Sequence, residues 1–201
     1  MGQTWGNFVS YLFHPAFVPL ALCGLFFALP TNLQPTGLPY LYLIVLGVGT
    51  LILPLISLGL FRWAGLISSI HMPSSRERRW PLILFALSYY SSRVVLLRLG
   101  LEGPMEALLL AGCFCMITFS VLSPWTKPSL HAAAMGAALG FVVYLYVAGL
   151  VHSVLWPFYV LLLGATVASA RLVLQAHSPG QLLTGWLTGL IAALLCLFLY
   201  A

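Results

Sequence analysis

Most side chains that could handle a phosphate group or a proton fall in three short polar segments between long apolar stretches. The segments are Arg76-Glu77-Arg78-Arg79-Trp80-Pro81, Lys127-Pro128-Ser129-Leu130-His131, and Ser169-Ala170-Arg171 followed by His177 and Gln181. Arginine binds phosphate oxygens through paired N–H groups, and two histidines can supply a nucleophile and a general acid near neutral pH. These residue types therefore indicate phosphate chemistry, provided that the fold brings the three segments together.

Each segment alone also has an ordinary structural interpretation. An arginine cluster beside an apolar stretch is usually an anchor at the membrane surface, Ser129 can simply cap the helix that follows it, and a lone histidine at a helix start is more often structural. However, a helix N-terminus beside Lys127 suits an anion. His177 and Gln181 are four positions apart, so they share one helix face.

Composition decides the class of protein. The chain has 201 residues, of which 62% are hydrophobic and 5% charged, with a mean hydropathy of +1.06. A soluble domain carries about 25% charged residues, so a soluble protein is excluded. Because one membrane pass needs roughly 20 apolar residues, this length holds about six or seven passes. We predict an all-α helical bundle that forms a single integral-membrane domain over residues 1–201.

The inventory of charged residues excludes several functions. The chain has three acidic residues, all Glu, so it has no Asp for an intramembrane aspartyl protease or an Asp-rich CDP-alcohol phosphotransferase. It also lacks a zinc-protease HExxH and a GxSxG nucleophile elbow. The net charge of +5 is spread over short loops rather than a dense basic face. We therefore expect membrane lipids and an anionic substrate as partners, and no nucleic acid.

The apolar stretches suggest how the polar segments meet. Seven stretches cover roughly 11–30, 39–61, 80–99, 105–122, 131–151, 155–172 and 181–200. If all seven cross the membrane, the loops at 62–80, 123–130 and 173–180 lie on one face together with the N-terminus. That face collects nearly all the phosphate-binding and proton-handling residues, whereas Glu102, Glu106 and His152 belong to the other.

The three polar segments, taken in their order along the chain, resemble the motifs of the type-2 phosphatidic acid phosphatase superfamily of membrane lipid phosphatases. The family pattern is a Lys six residues before Arg-Pro, then Pro-Ser-Gly-His, then Ser-Arg, five residues, His, three residues and Asp. Pro128-Ser129-Leu130-His131 matches the second element with Leu for Gly. Ala170-Arg171, His177 and Gln181 match the third with Ala for Ser and Gln for Asp, whereas Arg79-Trp80-Pro81 is a loose match to the first. The opening Tyr11-Leu12-Phe13-His14-Pro15 is similar to a divergent, mostly Bacteroidetes branch.

The resemblance implies a lipid phosphatase that needs no metal and no other cofactor. In this interpretation His177 attacks phosphorus to form a phosphohistidine, and His131 protonates the leaving oxygen. Gln181 orients His177. The phosphate ligands are Arg171, Lys127, Ser129 and one or two of Arg76, Arg78 and Arg79. The substrate is an isoprenyl diphosphate, a phosphatidate-like lipid or a lipid A-type phosphate.

Gln181 is the main departure from the family pattern. The family's Asp holds the nucleophilic histidine in one tautomer and stabilises its positive charge, whereas a Gln carbonyl can only orient it. In serine-protease triads an Asp-to-Asn change costs about 10⁴ in turnover through the wrong tautomer. The chain is therefore a slower phosphatase, a phosphatase with a substitute acceptor such as Glu77, or a non-catalytic lipid-phosphate binder or transporter.

Four further expectations concern residues beyond these motifs and the orientation of the chain. We expect His14 to be structural and His71 to be a weak candidate for the family's Lys, and Arg93 either lines the cleft or pairs with Glu106. Counting Lys and Arg places the histidine-bearing face in the cytoplasm. Since those residues are also the expected phosphate ligands and most relatives act on the outer face, we expect a periplasmic site in a bacterial inner membrane.

Overall fold

The structure, a computed structural model, describes residues 2–29, 39–69, 74, 76–101 and 103–200, and at Arg76 only the backbone. All regular structure in these ranges is helical. The helices are α1 (Gly2–Leu12), α2 (Val18–Ala28), α3 (Pro39–Gly47), α4 (Leu53–Trp63), α5 (Arg79–Arg98), α6 (Pro104–Leu122), α7 (Leu130–Val147), α8 (Leu155–Val173) and α9 (Pro179–Tyr200). A π-helical turn, Val48–Ile52, joins α3 to α4, and a 3₁₀ turn, Arg76–Arg78, precedes α5.

Six helical segments in the described residues are long and apolar enough to cross a membrane. They are Pro39–Trp63, which combines α3, the π turn and α4, together with α5, α6, α7, α8 and α9. Proline stands at the first position of α3, α6 and α9, where the missing N–H costs nothing because no partner exists there. The predicted all-α membrane bundle is confirmed, with helix bounds within a few residues of those expected.

The first predicted crossing is different, because residues 11–30 do not form one helix. α1 ends at Leu12, and α2, with 11 residues, begins only at Val18. The break surrounds Pro15, which has no N–H to donate and disfavours helical backbone at His14. A helix of that length rises about 16 Å, against a hydrocarbon core of about 30 Å. The expected seventh full crossing is therefore replaced by two short helices and a turn.

The closest helix contact joins α7 and α9 through glycines. A Cβ atom on Gly136 would collide with the carbonyl of Trp186, and one on Gly189 with the carbonyl of Ala133. The small residues Ala132, Gly136 and Gly140, one at every fourth position of α7, allow the neighbouring helix this approach. The contact holds the beginnings of α7 and α9, and thus His131 and Gln181, at fixed separation.

Arg93 pairs with Glu106, which decides between the two expectations for this residue. Arg93 Nε lies 2.6 Å from Glu106 Oε2 across α5 and α6. The guanidinium also lies 5.9 Å from the centre of the Tyr200 ring. An ion pair with an aromatic neighbour is the arrangement expected for charges inside a membrane, so Arg93 has a structural role.

The glycine contact makes a stability prediction. Gly189→Val places a branched side chain against the Ala133 backbone and should cost about 1–3 kcal/mol of unfolding free energy. Gly59→Val is the matched control, because nothing lies within 4 Å of a Cβ at that position in α4. Thermal unfolding in detergent should show a lower midpoint for Gly189→Val than for the control. Equal midpoints would contradict the packing argument.

Candidate active site

A cavity of about 360 Å³ lies among the α1–α2 turn, the π turn, α4 and the adjoining ends of α5, α7 and α8. Its polar lining residues include Ser10, His14, Arg78, Lys127, His131, Arg171 and His177. Its apolar lining residues include Leu51, Pro54, Leu55, Leu58, Phe85 and Met116. Five of the sequence-predicted site residues thus share one cavity, although they come from three segments far apart in the chain.

Hydrogen bonds determine the tautomer of His177. Its Nδ1 lies 3.1 Å from the Lys127 carbonyl oxygen and 3.3 Å from Gln181 Oε1. Since both oxygens can only accept, Nδ1 carries the hydrogen and Nε2 keeps its lone pair. Gln181 Oε1 also accepts from the Ser178 backbone N–H at 3.2 Å, which fixes the orientation of the amide. The Gln181 side chain and the Lys127 carbonyl therefore both accept from the same nitrogen of the imidazole.

Gln181 and Ser129 are not among the residues that line the cavity. The Ser129 N–H donates to the Gln181 backbone carbonyl at 3.1 Å, which joins the beginnings of α7 and α9. The Ser129 side chain is completely buried and caps α7 by accepting from the Ala132 N–H at 3.4 Å. The predicted cap is therefore present, and the structure does not place the Ser129 side chain among the groups that line the cavity.

Three cations surround the cavity without a carboxylate among its described lining residues. Arg78 is 7% exposed and donates to the Pro128 carbonyl at 3.3 Å, and Arg171 donates to Ser10 Oγ at 3.1 Å. The Nε atoms of both arginines are buried and have no hydrogen-bond partner in the described structure. Burial and the Arg171 charge lower the pKa of Arg78 to about 10, and burial, Arg78 and Arg171 lower the pKa of Lys127. This arrangement favours an anion.

The second histidine of the predicted pair contacts the N-terminal helix. His131 Nε2 lies 3.1 Å from the Ser10 carbonyl oxygen. The His14 ring meets the His131 ring edge to face at 5.5 Å, and His14 Nδ1 accepts from the Ala16 N–H at 3.3 Å. Burial and Arg171 lower the pKa of His14. The sequence offered no signal for Ser10, an uncharged residue in an apolar helix, and His14 had been expected only to be structural.

Two further predicted candidates among the described residues, Arg79 and Glu77, do not line the cavity. Arg79 is exposed, with its guanidinium 5.8 Å from the Trp80 ring centre. Glu77 accepts from the N–H and hydroxyl of Ser68 at 3.1 and 3.0 Å, so the expectation that it replaces the family's Asp beside His177 is wrong. The Arg76 side chain and His71 lie outside the described residues. Within the described ranges, no group of three or more His, Cys, Asp or Glu side chains could hold a metal ion.

Comparison with known families decides the identity of the fold. The sequence model of the PAP2 superfamily, the type-2 phosphatidic acid phosphatases, matches residues 61–201, more than two thirds of the chain. The chain belongs to the PAP2 superfamily. Neither the search of curated proteins nor the search of solved structures returned a match. Membership supports a phosphatase-type function for this multi-pass membrane protein, and the matched region contains all three polar segments.

The electrostatics of the site predict that His177 is neutral at physiological pH. Burial, followed by the charges of Arg171 and Arg78, lowers the pKa of His177 from 6.5 to about 4. Arg171→Met should therefore raise this pKa, because it removes a positive charge that opposes protonation. Histidine NMR titration in detergent, with the His177 signal assigned from a His177→Asn variant, measures the midpoint. Arg98→Met, an exposed arginine at the end of α5, should leave the midpoint unchanged. A wild-type midpoint near 6.5 would contradict this electrostatic interpretation.

Proposed function

We propose that this protein is a metal-independent lipid phosphatase that hydrolyses a phosphomonoester or diphosphate through a phosphohistidine. The observation that carries the proposal is the cavity itself, whose described lining residues combine His131, His177 and three cations with many apolar side chains and include no carboxylate. A phosphate group needs the cations, and a lipid chain needs the apolar wall. Family membership supports the same class of reaction.

Binding uses charge and position. Arg78, Lys127 and Arg171 hold the phosphoryl oxygens, because the two guanidinium groups have buried N–H groups without partners and the burial strengthens charge-assisted hydrogen bonds. The lipid part of the substrate packs against the apolar side chains that line the cavity. Phosphoryl transfer depends mainly on such positioning and on stabilising the charge of the transition state.

The first chemical step forms a bond from His177 Nε2 to phosphorus. The Nε2 lone pair is available because Nδ1 carries the hydrogen. As the P–N bond forms, the bond from phosphorus to the leaving oxygen breaks, and His131, which enters this step as the imidazolium, gives that oxygen a proton and becomes neutral. The products of this step are the lipid alcohol, or a lipid monophosphate from a diphosphate, and phosphohistidine.

The second step returns the enzyme to its starting state. A water molecule attacks phosphorus, the P–N bond breaks, and neutral His131 accepts the proton that the water loses. Inorganic phosphate then leaves the cations. His131 thus acts as an acid in the first step and a base in the second, as microscopic reversibility requires of a group that serves both.

The Gln181 side chain orients His177 but carries no negative charge. A site with the correct orientation and without this charge favours a slow enzyme over an inactive one. In a serine-protease triad, replacing the Asp by Asn leaves the histidine in the wrong tautomer. That loss is not expected here, because two carbonyl oxygens accept from His177 Nδ1 and keep the hydrogen on that nitrogen. What is missing is the negative charge that would stabilise the positive charge on His177 during attack.

Substrate and location follow from the same interpretation. We propose an isoprenyl diphosphate, a phosphatidate-like lipid or a lipid A-type phosphate as substrate, taken from the surrounding bilayer at the periplasmic face of a bacterial inner membrane. The apolar lining residues of the cavity support a lipid substrate.

Phosphate release from a panel of these lipids tests the proposal. The purified wild type should release phosphate with chelator present, and His177→Ala should lose about a thousandfold or more of the rate because no other group forms the intermediate. His152→Ala, an exposed histidine on the opposite side of the bundle, should keep wild-type turnover. Labelled phosphate should be trapped on His177 after rapid quenching. Absence of release from every lipid, with binding retained, would contradict catalysis and favour a binder or transporter.

The role of Gln181 gives a separate prediction. Gln181→Glu keeps the oxygen beside Nδ1 and adds the missing charge, so turnover should rise by about tenfold. Gln181→Ala should lower turnover only by about threefold to tenfold, because the Lys127 carbonyl still accepts from Nδ1.

Gln175→Glu is the matched control for this pair, because it adds the same charge to an exposed side chain near the end of α8. Steady-state kinetics should show no comparable rise for it. If the two glutamate variants behave alike, the gain is a general effect of charge and the role assigned to Gln181 fails.

A further inference from the structure

Ser10, in the last turn of α1, contacts both sides of the proposed phosphate site. Its carbonyl oxygen lies 3.1 Å from His131 Nε2, and its hydroxyl oxygen accepts from Arg171 NH1 at 3.1 Å. The residue is 8% exposed. It precedes residues 61–201, the part of the chain that the family shares, and it belongs to none of the family's three motifs.

The first contact determines the tautomer of His131. A backbone carbonyl can only accept, so the hydrogen of the neutral imidazole stands on Nε2. Nδ1 is then the nitrogen left to exchange a proton with a ligand. The same carbonyl also accepts from the imidazolium, so the ring keeps its orientation in both protonation states.

The second contact orients Arg171. Its Nε has no hydrogen-bond partner in the described structure, and no carboxylate lines the cavity there, so Ser10 Oγ is the group that holds this guanidinium. Because the Ser10 hydroxyl accepts in this bond, its own hydrogen can be donated to a phosphate oxygen. A long, mobile cationic side chain binds an anion better when its orientation is fixed beforehand.

The packing of α1 against α8 explains how Ser10 reaches the site. Gly6 faces the end of α8, where a Cβ would lie 2.9 Å from Leu174 Cγ and 3.3 Å from the Ala170 carbonyl oxygen. Only a residue without a side chain allows this approach. One turn later, Ser10 reaches Arg171, which immediately follows Ala170 in α8.

We propose that Ser10 is a positioning residue of the phosphate site, which orients Arg171 through its hydroxyl and His131 through its carbonyl. α1 is thereby a required part of the site. This inference rests on the proposed function, because it assigns Ser10 a role toward the phosphate that Arg171 and His131 would handle. The opposite possibility, that Ser10 competes with phosphate for Arg171, predicts the opposite change in affinity.

Ser10→Ala tests the hydroxyl contact. With a lipid phosphate as substrate and inorganic phosphate as competitive inhibitor, this variant should raise KM and the inhibition constant by about fivefold to tenfold, with a smaller change in kcat. Ser10→Thr keeps the hydroxyl and should restore both constants. Ser153→Ala removes a hydroxyl that accepts the Leu155 N–H on the other side of the bundle, and should change neither. Unchanged or tighter phosphate inhibition in Ser10→Ala would overturn the inference.

Gly6→Leu tests the packing of α1 against α8, and with it the contact between the Ser10 carbonyl and His131. The larger side chain should lift α1 from α8, so the nitrogen NMR signals of His131 should lose the pattern of a single Nε2–H tautomer, and KM should rise. Gly24→Leu is the matched control, because nothing lies within 4 Å of a Cβ at that position in α2. A folded Gly6→Leu protein with unchanged His131 signals and KM would overturn the role of α1.

Arg171→Ala separates failure of this inference from failure of the proposed function. If Arg171→Ala leaves inhibition by inorganic phosphate unchanged, the phosphate site itself is wrong, and the role of Ser10 falls with it. If Arg171→Ala weakens inhibition and Ser10→Ala does not, the phosphate site stands and only the role of Ser10 is overturned.

Discussion

The close approach of α7 and α9 is the constraint on which the candidate site depends. Glycines on both helices remove the side chains that would separate the two backbones, which leaves room for the Ser129 N–H to bond the Gln181 carbonyl. In a bilayer, where lipid is as apolar as leucine, this packing has to come from close fit rather than from the exclusion of water. His131 and His177 thus occupy one cavity because the helices that they begin or precede cannot move apart.

Within this framework, Arg78 is held by a backbone carbonyl and Arg171 by a serine hydroxyl, and no carboxylate is among the described residues that line the cavity. Arg78 donates to Pro128 and Arg171 to Ser10, which fixes their orientation but leaves their charge uncompensated. Burial and mutual repulsion then lower the pKa values of Arg78, Lys127 and His177 together. An anion between them would relieve that repulsion, so these charges favour the binding of a phosphate group.

Much of this arrangement could be predicted from the sequence, and the features that could not be predicted have identifiable physical reasons. Apolar length predicted the long helices, and the alternation of the apolar stretches across the membrane predicted that Arg171, His177, His131 and Lys127 would lie on one membrane face. The sequence could not show which of Arg78 and Arg79 faces the cavity. Adjacent residues of a helix point in different directions, so the answer depends on the exact rotation of the helix about its axis. The break at Pro15 was missed because an apolar stretch conceals a turn, and Ser10 was missed because its contribution is partly a backbone carbonyl, which every residue has.

The replacement of an acid by Gln181 changes the balance of the site in a definite direction. In the proposed mechanism a carboxylate beside His177 would repel the bound phosphate and stabilise the positively charged histidine that forms as phosphorus is attacked. Glutamine removes both effects, so the ground state with bound phosphate gains stability while the transition state loses it. Since only interactions that are stronger in the transition state accelerate a reaction, the expected consequence is tight binding with slow turnover. In the proposed mechanism, residue 181 therefore sets the balance between phosphate affinity and the rate of turnover. The two carbonyl oxygens at Nδ1 preserve the tautomer of His177.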